Sequence, residues 1–194
     1  MSDEQTDVVI IGGGPAGASA ATFTARAGLT TVVIDADKGM TRRAMLNNHL
    51  GFPDGIDGPA LVDQGRSQAE RAGATWVVGT AEAVEVADGE LTVRTGDEQV
   101  LTTPRILLAT GFSVALAAAA GVTTTAGTEP HIKEVVVVDA QGRTSVPGIW
   151  AAGTAAGVSV HTIVTAGDGA RVAINLISEI RGERWVDHDI LPAG

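Results

Sequence analysis

The chain has 194 residues, of which 44% are hydrophobic, with 25 glycines and no cysteine or tyrosine. This length and composition suit one folded domain with an aliphatic core, and they argue against a disordered chain. The formal net charge is −10, from 23 acidic and 13 basic residues, which disfavours nucleic acid and anionic membrane surfaces as partners.

The first predicted element is a buried strand over residues 7–12, followed by a helix from Pro15 to Gly28. A second aliphatic strand is predicted over residues 30–36. A strand, a helix and a strand within about thirty residues predict a parallel β-α-β unit.

A glycine-rich turn, G-x-G-x-x-G, joins the first strand to this helix and consists of Gly12, Gly14 and Gly17. The first glycine permits the tight turn, the second lets the backbone approach a pyrophosphate, and the third lets helix and strand pack closely. The phosphates would lie at the helix start, at Pro15 and Ala16, where the helix dipole favours negative charge. The pattern predicts a dinucleotide site.

Asp35 ends the second strand, where it can accept hydrogen bonds from the ribose hydroxyls of an adenosine. An acid in this place disfavours the additional phosphate of NADP. The motif leaves NAD and FAD both open, because the two share the adenosine diphosphate half.

A small basic cluster follows at Lys38, Arg42 and Arg43. We interpret it as a solvated loop in preference to an anion contact.

The middle of the chain predicts a helix from Ala60 to Ala72 and a third strand over residues 74–80. Alternating apolar residues over 83–103 then predict a short antiparallel meander set within the parallel sheet. Its turns are expected at Asp88–Gly89 and near Gly96–Asp97.

The last part of the chain returns to buried strands and ends in a helix. Strands are predicted within residues 105–110, 134–148 and 149–153, and the final helix runs from Thr162 to Ile180. Residues 112–133 have no strong periodicity. The absence of repeats and linker tracts predicts a single domain over residues 1–194, whose halves 1–111 and 134–194 are joined by a short linker, 112–133.

Several further segments resemble the thioredoxin reductase family of flavoproteins. They occur in the family's order at residues 48–74 (beginning NHLGFPDG), 106–111 (ILLATG), 144–154 (TSVPGIWAAGT) and 161–170 (HTIVTAGDGA). The resemblance implies an α/β, three-layer Rossmann-like FAD-binding domain. Its layers would be a central parallel sheet, helices on one face and a small antiparallel meander on the other.

The resemblance also implies where FAD would lie. Asn48 matches a position near the isoalloxazine ring, and Thr80 and Ala81 match the strand end that borders the adenine. His161 and Thr162 match the start of the helix under the flavin. The remaining positions implied are the Ala-Thr-Gly residues Ala109, Thr110 and Gly111, and Gly153 and Thr154 beside the ribitol and pyrophosphate.

The chain departs from the family pattern in three places. Thr154 replaces an aspartate, and His161 replaces a glutamine common in the family. The inserted nicotinamide-binding domain with its C-x-x-C pair is missing between Gly111 and residue 134. Because the chain has no cysteine, it cannot reduce disulfides by a dithiol relay.

The resulting hypothesis is a FAD-dependent oxidoreductase that receives electrons from NAD(P)H or a partner redox protein and passes them to an acceptor that the sequence does not identify. The alternative is a non-catalytic flavin-binding or electron-transfer module that works with a partner protein. A plain NAD-binding Rossmann protein is disfavoured by the C-terminal segments. No catalytic residue is identified, and His49 is left open between a flavin contact and an incidental loop residue.

Loss of the family's second domain would expose an apolar face, so a homodimer is expected. The acidic start MSDEQTD is unlike a signal peptide, and residues 106–122 are too short and too interrupted for a membrane span. We therefore expect a cytoplasmic location without a membrane partner. His131 and His188 have no partner at metal-ligand spacing, so no metal is predicted.

Overall fold

A computed structural model describes residues 6–87 and 89–191. Five strands form its central sheet: β1 (Val8–Ile11), β2 (Thr31–Asp35), β5 (Thr75–Val78), β9 (Ile106–Leu108) and β12 (Ile149–Ala151). All neighbouring pairs are parallel, in the order β12-β9-β1-β2-β5. The chain leaves β1 towards β2 on one side and later returns to β9 on the other, so the order reverses between β1 and β9.

Four helices accompany the sheet: α1 (Pro15–Arg26), α2 (Gly58–Ala72), α3 (Ala115–Ala119) and α4 (Thr162–Arg181). Helix α1 contacts both α2 and α4. Together with one face of the sheet, these three helices enclose a core of small and aliphatic side chains that includes Ala20, Ala69 and Leu176.

Three small antiparallel sheets complete the fold. The largest is the meander β6 (Ala81–Ala87), β7 (Glu90–Thr95) and β8 (Val100–Thr103), and the others are the pairs β3 (Met45–Leu46) with β4 (Ile56–Asp57) and β10 (Thr124–Ala126) with β11 (Glu134–Val136). Short 3₁₀ helices occur at Met40–Arg43 and Gly153–Ala156.

The alternation of side chains along β1 separates the two cores. Val8 and Ile10 face the helices, whereas Val9 and Ile11 face the side of the sheet on which Val93 of the meander packs. All four β1 side chains are buried, which is typical of a strand covered on both faces. The structure therefore confirms the predicted three-layer arrangement.

Two details differ from the sequence-based expectation. Helix α2 begins at Gly58, two residues early, because the Asp57 side chain caps it by accepting a hydrogen bond from the Ala60 amide at 2.7 Å. The meander is a sheet of its own and not part of the parallel sheet, although its sequence lies between β5 and β9. The predicted turn at Asp88–Gly89 falls partly outside the described residues.

The segment 112–133, which has no strong periodicity, contains α3 and β10. Its end forms a hairpin, because β10 pairs with β11 in the register Ala126 opposite Glu134. The predicted short linker therefore contains secondary structure of its own. Among the helices of the described residues, none combines the length and the apolar character needed to cross a membrane.

Candidate functional site

A cavity of about 1110 Å³ lies along the carboxyl ends of β1, β2, β9 and β12. In open α/β sheets, ligands bind at this edge, where the strand order reverses. All the site residues predicted from the sequence line the cavity, except Gly17 and Gly153, which lie behind its wall.

The glycine-rich turn follows β1 and meets β9 closely. Gly12 has φ of +104°, and a Cβ there would overlap the Ala109 carbonyl oxygen. A Cβ on Gly17 would overlap the Gly12 carbonyl oxygen, which explains why this glycine packs against the turn and not against the cavity. Gly14 is different, because no atom lies within 4 Å of the place its Cβ would occupy.

Gly13 is a constrained position that the motif does not reveal, because it is a variable place in G-x-G-x-x-G. A Cβ at Gly13 would stand 2.6 Å from Asp35 Oδ2 and would overlap the Trp76 ring. The turn therefore packs against side chains of β2 and β5, and a larger residue at position 13 would have to displace the Asp35 carboxylate and the Trp76 ring.

The start of α1 presents unpaired donors. Gly14 is its N-cap residue without a side-chain cap, and the first turn contains no acidic residue. The first intrahelical bond is from the Ala18 amide to the Gly14 carbonyl at 2.9 Å, so the amides of Ala16 and Gly17 have no acceptor within α1. Beside an open cavity, these donors and the helix dipole fit an anionic group such as a pyrophosphate.

The end of β2 supplies the acid that the sequence predicted. Asp35 lines the cavity, and its carboxylate accepts no hydrogen bond from the described residues.

The basic cluster after β2 is divided between two surroundings. Lys38 lines the cavity, whereas Arg42 is held by ion pairs with Asp37 and Asp63. Arg42 is therefore a structural residue of the loop after β2.

Thr154 lies on the cavity wall near α4. The residue is only 7% exposed, yet its hydroxyl has no hydrogen-bond partner among the described residues. A hydroxyl that faces a cavity and has no protein partner can bind a polar ligand group.

The Asp168 side chain holds the backbone immediately before Thr154. The sequence analysis did not identify this residue. Its Oδ2 accepts a hydrogen bond from the Gly153 amide at 2.8 Å, and its Oδ1 pairs with Arg171 Nη2 at 2.8 Å. Gly153 has φ of +73°, and its missing Cβ would be 2.8 Å from the Ala16 Cβ. The sequence signal for this role was a single acid on a helix face that otherwise carries small and apolar residues and threonines.

The far end of the cavity lies at the start of α4, where His161 is the N-cap residue and Thr162 the first helical residue. The Nδ1 atom of His49 lies 2.9 Å from the Thr162 hydroxyl, so this loop histidine is anchored to α4. Burial lowers the pKa of His49, which favours the neutral ring beside the positive end of the helix dipole.

Apolar side chains complete the lining and were not predicted from the sequence. Met40, Met45, Phe112 and Val160 line the cavity and are still between 40% and 59% exposed. The arrangement therefore has donors for phosphates near α1, an acceptor for ribose at Asp35, and an apolar space that leads to α4. It can hold an extended dinucleotide.

Within the described residues, no group of three or more His, Cys, Asp or Glu side chains is arranged to hold a metal ion.

Comparison with known proteins agrees with this geometry. The family model "Pyridine nucleotide-disulphide oxidoreductase" matches residues 6–135 and 68–170. The thioredoxin reductase of Streptomyces coelicolor is 38% identical over 115 residues, which are 57% of this chain and 35% of that protein. NADPH-dependent thioredoxin reductase 3 of Arabidopsis thaliana is 40% identical over 101 residues, 48% of this chain and 19% of the plant protein.

The matched segments thus span about a third or less of these curated relatives. A solved thioredoxin reductase from Gloeobacter violaceus has a TM-score of 0.78 at 20% identity, covering 98% of this chain and 100% of that chain, and it shows the shared fold. Because the family model covers most of the chain, the protein belongs to the pyridine nucleotide-disulphide oxidoreductase family, as a thioredoxin reductase-like domain.

Proposed function

We propose that this protein is a FAD-binding oxidoreductase that receives electrons from NAD(P)H or a partner redox protein and passes them through FAD to an acceptor. The observation that carries the proposal is the single cavity from Asp35 past the start of α1 to the start of α4. Its length, the unpaired amides of α1 and the unpaired Thr154 hydroxyl suit FAD.

Each part of the cavity would contact one part of FAD. The adenosine would lie between Asp35 and the residues Thr80 and Ala81, with the pyrophosphate at the amides of Ala16 and Gly17. The Thr154 hydroxyl would form a hydrogen bond with the ribitol or the pyrophosphate. The positions Ala109, Thr110 and Gly111 border the middle of the cavity, and Asn48, His161 and Thr162 border the space for the isoalloxazine ring.

Bound FAD would supply the electron transfer, and the residues of this chain would position it and exclude water. The start of α4 has no acidic residue in its first turn, so its dipole favours negative charge at the ring end of the cavity. A dithiol relay within this chain is excluded because it contains no cysteine.

The apolar residues at the rim of the cavity favour a second candidate function. Met40, Met45, Phe112 and Val160 remain exposed there, and Ile163 and Val164 are exposed on the first turn of α4. A flavin-binding module that docks on a partner protein, without a reaction of its own, would use such a rim. Rapid anaerobic bleaching of the flavin by NADH or NADPH would contradict this candidate and support the oxidoreductase.

We also propose a cytoplasmic location and a homodimer, and the same exposed side chains support the dimer. Light scattering during size-exclusion chromatography would test the oligomeric state. A mass equal to one chain at micromolar concentration would contradict the dimer.

The decisive test of the proposed function is the visible spectrum of the purified protein, followed by release and chromatographic identification of the cofactor. We expect two flavin absorption bands and released FAD. A colourless protein that takes up no added FAD would overturn the proposal.

A further inference from the structure

The turn between β10 and β11, residues 127–133, contacts the loop that leads into α4. Glu129 Oε2 accepts a hydrogen bond from the Ser159 hydroxyl at 3.3 Å and a longer one from the Val160 amide at 3.5 Å. The turn occupies the part of the chain in which a second domain would be inserted in a full-length thioredoxin reductase. Here it reaches the α4 end of the cavity directly.

Ser159 connects this carboxylate to an imidazole, because its Oγ lies 2.8 Å from His161 Nδ1. A carboxylate can only accept, so the single hydroxyl proton of Ser159 is directed to Glu129. With the hydroxyl proton directed to Glu129, the Ser159 oxygen accepts from His161, and from this network we assign the proton of the neutral ring to Nδ1. The Nε2 atom is left with a free lone pair.

His161 is exposed and lines the cavity, so its ring is in contact with both solvent and the ligand space. The titratable side chains connected to it are Glu129, through Ser159, and His49, through Thr162. His49 differs from His161, because it is partly buried, bound to the Thr162 hydroxyl and absent from the cavity lining.

We propose that Glu129, Ser159 and His161 form a proton-exchanging array in which His161 Nε2 takes up and releases a proton beside the ring end of the bound flavin. The proton comes from solvent at the exposed imidazole and returns there, so no oxidant or reductant takes part in this exchange. Ser159 and Glu129 act as positioning residues that hold the ring in place. The inference rests on the proposed function, because the group beside His161 is taken to be FAD.

The first measurement uses the protein without cofactor and determines the tautomer of His161 from its ring ¹⁵N chemical shifts. We expect the Nδ1–H tautomer in the wild type and loss of this preference in Ser159→Ala. His131→Gln, which changes an exposed histidine in the same turn, is the matched control and should leave the tautomer unchanged. An Nε2–H tautomer in the wild type would contradict the array.

The second measurement loads the protein with FAD, reduces it anaerobically with dithionite and follows the ionisation of the reduced flavin by absorption between about pH 5 and 9. A protonated imidazole stabilises a nearby anion, so we expect His161→Gln to raise the pH midpoint by about one unit. Glu129→Gln should shift it in the same direction by less, and His131→Gln should not shift it.

The outcomes separate this inference from the proposed function. If the variants bind FAD and ionise at the wild-type midpoint, the array is wrong while FAD binding stands. If the wild type binds no FAD, the proposed function fails and the inference fails with it. Retained FAD with a raised midpoint in His161→Gln and Glu129→Gln supports both.

Discussion

A side chain at Gly14 would project into open space on the cavity side of α1, because no atom lies within 4 Å of the place its Cβ would occupy. At Gly12 and Gly17, by contrast, a Cβ would overlap backbone oxygens of the fold itself. The three glycines of one motif therefore serve different needs. Two allow the turn to close, whereas Gly14 leaves the approach to the start of α1 open, as the proposed pyrophosphate position requires.

We expect Gly14→Val to fold normally and to lose FAD. The valine side chain would fill the place of the pyrophosphate, which should weaken FAD binding by about a hundredfold or more, roughly 3 kcal/mol. The measurement is FAD content and FAD affinity by fluorescence. Gly167→Val is the control, because Gly167 is exposed on α4 and its Cβ also meets no atom within 4 Å. A Gly14→Val protein purified with full flavin would contradict the assignment.

Asp168 is the residue at which we expect the largest loss of stability from the removal of a single charge. Asp168→Asn removes a charge-assisted hydrogen bond to the Gly153 amide and the pairing with Arg171, at about 1–3 kcal/mol. Urea unfolding without cofactor measures the change. Glu179→Gln, on the exposed side of the same helix, should change the free energy of unfolding by less than about 1 kcal/mol. Equal effects of the two substitutions would contradict a special role for Asp168.

At the scale of elements, α1 and α4 approach each other through small residues. A Cβ on Gly169 would overlap the Ala16 carbonyl oxygen and lie 2.7 Å from its carbon. This close approach fixes the position of α4 relative to the start of α1, and both helices border the cavity. Glycine at position 169 permits this contact, because a Cβ there would overlap the α1 backbone at Ala16.

We expect opposite effects from alanine at two nearby glycines of α4. Gly169→Ala should lower the free energy of unfolding by about 1–3 kcal/mol, because the new methyl group pushes α4 away from α1. Gly167→Ala should raise it by up to about 1 kcal/mol, since alanine favours the helix and the space is open. Urea unfolding measures both, and destabilisation at Gly167 would contradict this explanation.

The anchoring of the loop after β3 to α4 predicts a pH dependence. Burial lowers the pKa of His49 below its ordinary value of 6.5, so below that pH the unfolded chain binds a proton that the folded protein resists. Stability should therefore fall as the pH drops through 6.5 and level off below the folded pKa. His49→Gln should remove this component in urea unfolding between about pH 5 and 7.5. The exposed His188→Gln should keep it, and an unchanged pH profile in His49→Gln would contradict the interpretation.

At the scale of the whole molecule, the excess of acidic residues gives a net charge of −10. These like charges repel one another in the compact folded state and destabilise it. Screening shortens from about 10 Å at 0.1 M salt to about 3 Å at 1 M. We therefore expect the urea midpoint to rise with sodium chloride at pH 7, and to rise less at pH 5.5, nearer the pI of about 4.7. An equal salt effect at both pH values would contradict charge repulsion as its cause.

The sequence by itself determined the elements whose signals are local. Aliphatic runs marked β1, β2, β9 and β12, because a strand buried on both faces needs them. The spacing of the glycines marked the turn into α1, because a Cβ at Gly12 or Gly17 would overlap backbone oxygens of the fold. The resemblance to thioredoxin reductases then correctly placed the meander on the opposite face of the sheet from the helices.

Only the tertiary structure decided which distant side chains meet around the cavity. His49 and Thr162 are 113 residues apart, Glu129 and Ser159 are 30 apart, and the buried carboxylate of Asp168 meets a backbone amide 15 residues away. None of these pairs has a motif, because a hydrogen bond between separate elements depends on how the elements pack and not on spacing along the chain. Local patterns were therefore enough to find most residues that line the cavity, whereas the contacts between the surrounding elements became visible only when the helices and the sheet were brought together.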